Sequence, residues 1–280
     1  LFTGCMVIVG DMPWHRAGNC FTDDDLAFIE LLFENHYGIT SEKKILTTLR
    51  VVANSNGYHP VREYLNHLDW DRTPRVRFAL HHFLGAEISD LNEELLRLFM
   101  LGAVTRIFQP GCKFDMMLCL TGGQGAGKSS FFRFLAGNDE WFSDDLRKLD
   151  DENVYRRIMG HWIIEMSEMM ATGNAKNVEE IKSFLSRQKD TYKVPYDKFP
   201  ADRPRQCVFA GTSNKLDFLP HDRSGNRRFL PIRIDPDKAE VHILANQQTS
   251  RAYFNQLWAE IMVIYRSGEY SLQLSKEASK

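Results

Sequence analysis

Cysteine is scarce and unpatterned: Cys5, Cys20, Cys112, Cys119 and Cys207 are five in 280 residues, odd in number and irregularly spaced. That argues against a disulfide framework and suits buried thiols in a reducing cytoplasm. No C-x-x-C or H-E-x-x-H spacing occurs, and the adjacent pair His81-His82 would face different sides of a helix, so no structural zinc is expected. Long apolar runs are missing too. No stretch of about 18 apolar residues and no basic segment ahead of an apolar one is present, so neither membrane insertion nor secretion is indicated. Charge of one sign does not dominate, since 35 Lys and Arg against 37 Asp and Glu leave a net charge of −2. Contact with nucleic acid must therefore come from a local basic strip, not from the field of the whole molecule. Internal repeats, heptads and low-complexity tracts are absent as well. The chain opens abruptly on Leu1 and an apolar run from Phe2 to Val9, which reads as a piece of something longer.

What is present falls into two parts. Thr22 with Asp25 forms a capping pair, and Leu26, Ile29, Leu32 and Phe33 follow at helical spacing until Gly38. Ser41 opens a second helix that ends at Asn54-Ser55-Asn56-Gly57, and Pro60 and Pro74 each sit where a helix takes its first residue. A long helix is expected from about Leu91 to Phe108, stopped by Pro110-Gly111. Residues 1–110 thus read as a mainly helical module. Beyond Gly111, short apolar runs alternate with helical segments, the pattern of a parallel sheet covered by helices. The expected strands are Phe114–Thr121, Trp162–Met166, Gln206–Thr212 and Phe229–Ile234, with an amphipathic helix from Arg251 to Arg266 closing the 111–280 domain.

The chemistry begins at Gly122-Gly123-Gln124-Gly125-Ala126-Gly127-Lys128-Ser129-Ser130, directly after the apolar run Met116–Leu120. Gly122, Gly127, Lys128 and Ser129 fit G-x-x-x-x-G-K-[ST]. Such a loop turns backbone N–H groups inward on an anion, aims a helix N-terminus at it, and supplies a lysine for the outer phosphates and a hydroxyl for Mg²⁺. ATP and Mg²⁺ are the cofactors this implies. Hydrolysis further needs carboxylates at a strand end to hold the cation and polarise water. Glu165 and Glu168, ending the run His161–Met166, supply them, with Glu165 a candidate metal ligand beside Ser129 and the division of roles between the two left open. Asn214, at the end of the third strand, is placed to orient water or sense the terminal phosphate. Arg227 and Arg228 offer guanidinium groups of the kind that neutralise a transferring phosphoryl, commonly from a neighbouring subunit. Between these parts, Lys189, Tyr192, Lys193, Tyr196 and Lys198 interleave basic and aromatic side chains on an expected hairpin, which suits a nucleic-acid backbone and stacked bases.

Together these segments resemble the virulence-associated E family, P-loop ATPase domains of phages, satellites and plasmids akin to superfamily 3 and D5-type helicases. The resemblance runs through His59–Leu65, Leu68–Arg75, Leu101–Asp115, the phosphate loop, Trp141–Asp144, Glu165–Glu168, Ile181–Arg187, Pro195-Tyr196, Pro204–Phe209, Thr212–Asn214, Gly225–Phe229 and Leu257–Glu260. It implies an AAA+-like core, a ring-forming and usually hexameric oligomer, a DNA-contacting hairpin in the central channel, an arginine acting in trans, and a place in the bacterial cytoplasm. A primase-like partner domain is often found in the family, though none is legible here. Two positions depart from the family's pattern: Arg72 where glycine is frequent after Trp-Asp, and Leu230 where tryptophan is frequent. The expectation is an ATP-hydrolysing DNA helicase or translocase for replication of a mobile element. The alternative is a regulatory ATP-dependent module that recruits or blocks replication proteins without unwinding.

Overall fold

The computed structural model describes residues 6–16, 18–146, 149, 154–166, 175–192, 201–214 and 226–278, with the backbone alone at 156, 175–177, 192 and 226. Two compact units result, Leu1–Pro60 and Val61–Lys280.

The first unit is built on α1 (Asp23–Tyr37) and α2 (Glu42–Ser55), with an isolated antiparallel bridge between Val7 and Cys20. The capping box at Thr22 and Asp25 forms as its sequence indicates, and Gly38 ends α1 in the left-handed conformation. Asp25 does more than cap. It also accepts from Trp14 Nε1 at 2.8 Å and Arg16 Nε at 2.7 Å, and the Arg16 guanidinium holds its carboxyl well below the usual range.

In the second unit, α3 (Pro60–Asn66), α4 (Val76–Leu84) and α5 (Asp90–Phe108) precede the sheet. Pro60 is the first residue of its helix, whereas Pro74 lies outside α4, whose N-cap is Arg75. Between them the chain turns at Arg72, a non-glycine residue at φ 67°, where Thr73 N donates to Asp71 Oδ1. The strands are β1 (Met117–Thr121), β2 (Phe142–Ser143), β3 (Ile163–Glu165), β4 (Lys189–Tyr192), β5 (Ala201–Pro204), β6 (Val208–Ser213) and β7 (Phe229–Arg233). Five of them form a parallel sheet in the order β2-β3-β6-β1-β7, while β4 and β5 pair antiparallel as a separate two-stranded hairpin. The expected parallel sheet is therefore present, with β1, β3 and β7 lying inside the expected ranges, β6 starting two residues later and ending one residue later than expected, and the two-residue β2 added at one edge.

Both faces of the sheet are covered, which is why its strands read as continuous apolar runs. On one side Met117, Cys119, Ile164 and Phe209 pack with α7 (Val154–Ile158) and α8 (Ala175–Leu185) in one buried cluster. On the other lie α5, α6 (Lys128–Leu135) and α9 (Gln247–Ser267), the last longer than α5. Trp162 ties this layer together. Its Nε1 donates to Ala103 O of α5 at 3.1 Å, and its ring lies 4.3 Å from that of Trp258 in α9. Arg106 of α5 is buried and donates to Cys207 O at 2.7 Å and to Phe114 O. The helices between Val61 and Phe108 thus belong to the same compact unit as the sheet, and residue 110 marks a change of sequence pattern rather than the edge of that unit.

Candidate functional site

Open parallel sheets gather ligands at the carboxyl ends of their strands. Here the carboxyl ends of β1, β3 and β6 bring together residues distant in sequence. The loop after β1 starts at Gly122, whose N–H donates to Ser213 O of β6 at 3.1 Å. A Cβ at Gly122 would stand 2.6 Å from Ile234 Cγ1 and 2.8 Å from Ile234 O, so only glycine lets the chain leave the sheet so tightly. The loop crest at Gly123, Gln124 and Gly125 is exposed, Ala126 is buried, and Gly127 at φ 78° caps α6. Ser130 is half-buried behind Ser129.

Lys128 folds back into this loop. Its Nζ donates to Gly122 O at 2.8 Å, Gly123 O at 2.6 Å and Asn214 Oδ1 at 3.0 Å. Burial lowers its pKa, with nearby Glu165 pulling the other way. An ammonium held by two carbonyls and an amide oxygen, all neutral acceptors, is a cation placed without a counter-charge at contact distance. It is ready to exchange those acceptors for an anion.

Glu165 ends β3 and is 1% exposed. Oε1 accepts from Ser129 Oγ at 2.8 Å and Thr212 Oγ1 at 2.5 Å, while Oε2 is buried with no hydrogen-bond partner. Burial raises its pKa most, the two hydroxyl bonds lower it, and the neighbouring carboxylate of Asp144 raises it again. A buried carboxylate oxygen without a donor is costly unless a cation meets it. Hydroxyl and carboxylate oxygens are hard donors of the kind Mg²⁺ takes, and Mg²⁺ is commonly held by one or two carboxylates, water and substrate phosphates. Ser129 and Glu165 fit that requirement. Among the described residues no three His, Cys, Asp or Glu side chains gather into a metal cluster of their own. Thr212 was not legible as a site residue. The only hint was its place in Thr212-Ser213-Asn214 at a strand end.

Glu168, Lys193, Tyr196 and Lys198 fall outside the described residues, and Tyr192 lies on β4. Lys189, also on β4, is ion-paired across the hairpin with Asp202 of β5. Arg227 and Arg228 precede β7, whose Phe229 is in register with Met117 of β1, so both sit at the amino ends of these strands. That is the opposite end of the sheet from the glycine loop. Arg228 Nε donates to Asp115 Oδ2 at 3.0 Å and Ser186 Oγ at 3.2 Å, and Arg227 is exposed. No described helix is long and apolar enough to cross a membrane.

The family model of the virulence-associated protein E-like domain matches residues 65–280. Comparison with curated proteins gave no match. Among solved structures, the apo A form of the NrS-1 C-terminal region is similar to this chain at TM-score 0.51 and 15% identity, covering 71% of this chain and 48% of that one. A second structure of that region, residues 305–718, aligns at TM-score 0.45 and 17% identity over 71% and 46% of the two chains. The chain spans about half the length of the structures it matches, and at these identities the likeness concerns the fold. The family model covers more than half of the sequence and includes the glycine loop, β3 and β6, and the chain belongs to the virulence-associated protein E-like family.

Proposed function

We propose that this chain is an ATP-hydrolysing DNA translocase or helicase acting in the replication of a mobile genetic element. The observation that carries the reading is the meeting of Lys128 with Asn214, and of Ser129 with Glu165, at the carboxyl ends of adjacent parallel strands. Lys128 would leave the carbonyls of Gly122 and Gly123 for the outer phosphates, releasing Asn214 to contact the terminal phosphate or the attacking water. Ser129 and Glu165 would hold Mg²⁺, which when bound neutralises charge developing on the phosphoryl oxygens. Glu168 remains the candidate for polarising the water.

Arg227 is the better candidate for completing the site from a neighbouring subunit. Arg228 is tied to Asp115 of its own chain, and both arginines lie at the far end of the sheet from their own glycine loop. A ring of subunits, with the β4–β5 hairpin meeting DNA, would turn each hydrolysis cycle into movement. Strand separation on a forked DNA substrate tests this directly. ATP-dependent unwinding is expected, and hydrolysis indifferent to DNA without unwinding would overturn the translocase in favour of an ATP-dependent recruiting or interfering module.

A further inference from the structure

Among the described residues, Asp144 is an acidic side chain close to Glu165 that the proposed ATPase site has not used. Its position follows from the sheet. Phe142 is in register with Ile163 and Ser143 with Ile164; the ladder ends there, and Asp144 and Glu165 are the next residues of the two segments toward the carboxyl end of the sheet. Residues opposed in a parallel pair face the same side, on strands about 4.8 Å apart. Which side is fixed independently: the Phe142 ring lies 5.6 Å from the guanidinium of Arg133 in α6. Residues alternate along a strand, and continuing that alternation one residue past β2 turns Asp144 toward α6, as Phe142 is turned. One helical turn before Arg133 on α6 is Ser129, which already donates to Glu165.

Two carboxylates at one sheet edge repel unless a cation lies between them. Glu165 Oε2 is buried and without a donor, while Oε1 is occupied by Ser129 and Thr212. Asp144 by contrast is exposed. We propose that Asp144 is the second carboxylate of the divalent-cation site, acting from the β2 edge through the cation's bound water while Glu165 and Ser129 stand closer in. It requires no new fold element, only that β2 end where it does.

This inference rests on the ATPase reading, and the test separates the two. Mn²⁺ is titrated into the protein with a non-hydrolysable ATP analogue, and free Mn²⁺ is followed by electron paramagnetic resonance. Asp144→Asn is expected to weaken Mn²⁺ binding by about tenfold or more, the range found when supporting partners of a metal site are removed. Analogue affinity in excess chelator should not change, and Asp144→Glu should recover most of the lost Mn²⁺ affinity. Because Asp144 is exposed at a strand end, these substitutions leave the core untouched. Mn²⁺ affinity equal to the parent's in Asp144→Asn, with Glu165→Gln severely weakened, would overturn the role of Asp144 and leave the ATPase reading standing. A parent chain that holds neither the analogue nor Mn²⁺ would overturn both.

Discussion

Burial makes ionisation of Glu165 costly and raises its pKa, which gives the site a pH signature. A carboxyl whose folded pKa lies above its unfolded value favours folding fully at pH below the unfolded value, about 4.3, and loses that contribution as pH rises through the folded value. Glu165→Gln keeps the shape and the Ser129 and Thr212 contacts without the charge. In the absence of divalent cations it should therefore unfold at a higher temperature than the parent at pH 7 to 8, with the two converging near pH 4. Parallel melting curves from pH 4 to 8 would contradict this.

A second residue-scale prediction comes from the departure at Arg72. Its φ of 67° is the only positive value at a non-glycine position among the described residues. Arg75 binds Asp71 through both guanidinium ends at 2.7 Å, and Trp70 Nε1 donates to Thr73 O, so the turn is fixed whatever residue stands at its crest. Glycine relieves the left-handed strain at some cost in unfolded-chain entropy. Arg72→Gly should stabilise the chain by up to about 1 kcal/mol in denaturant unfolding, and a loss of stability would contradict the assignment.

At the scale of elements, the base of the hairpin is the most tightly specified part. Arg205, following β5, donates to both oxygens of Asp190 on β4 at 2.7 and 2.8 Å and to Phe184 O at 2.5 Å, and is almost fully buried. Its guanidinium stacks 4.3 Å from the Phe184 ring and 5.3 Å from that of Phe209 in β6. The hairpin is thus joined through one side chain to α8 and to the strand that leads into Asn214. Arg205→Ala leaves the Asp190 carboxylate buried and unpaired, and should cost about 3–5 kcal/mol in denaturant unfolding. A loss below about 1 kcal/mol would show that the pair contributes little.

The same elements show what sequence could and could not reveal. The start and end of α1 were legible because capping is local chemistry: Thr22, Asp25 and Gly38 satisfy backbone groups within a few residues. The buried strands were legible as apolar runs because both faces are covered. β2 was not, since two residues show no periodicity, and its pairing with β3 brings together segments distant in sequence. Within the site, Lys128, Ser129 and Glu165 could be read from the loop motif and the strand-end acid. Thr212 could not, because its contact with Glu165 depends on β3 and β6 being neighbours. The pairing of Arg228 with Asp115 was hidden for the same reason.

At the scale of the whole molecule, the fold separates the two halves of the proposed chemistry. Glycine loop, Lys128 and Glu165 occupy the carboxyl ends of the strands, while Arg227 and Arg228 occupy the amino ends. If Arg227 acts on the neighbour's nucleotide, Glu165→Gln and Arg227→Ala are each inactive alone but complement each other. In a mixed ring some interfaces pair an intact loop with an intact arginine, and part of the ATPase activity returns. Mixtures no more active than either variant would place the arginine's role, if any, within its own chain.

All of this depends on the glycine loop binding a nucleoside triphosphate that the site then hydrolyses. The most direct measurement is the rate of phosphate release from Mg²⁺-ATP by the parent chain and by Lys128→Ala, with and without single-stranded DNA. Hydrolysis that DNA accelerates, and that Lys128→Ala loses, is the predicted result. No release by the parent, or release that Lys128→Ala leaves unchanged, would contradict the account.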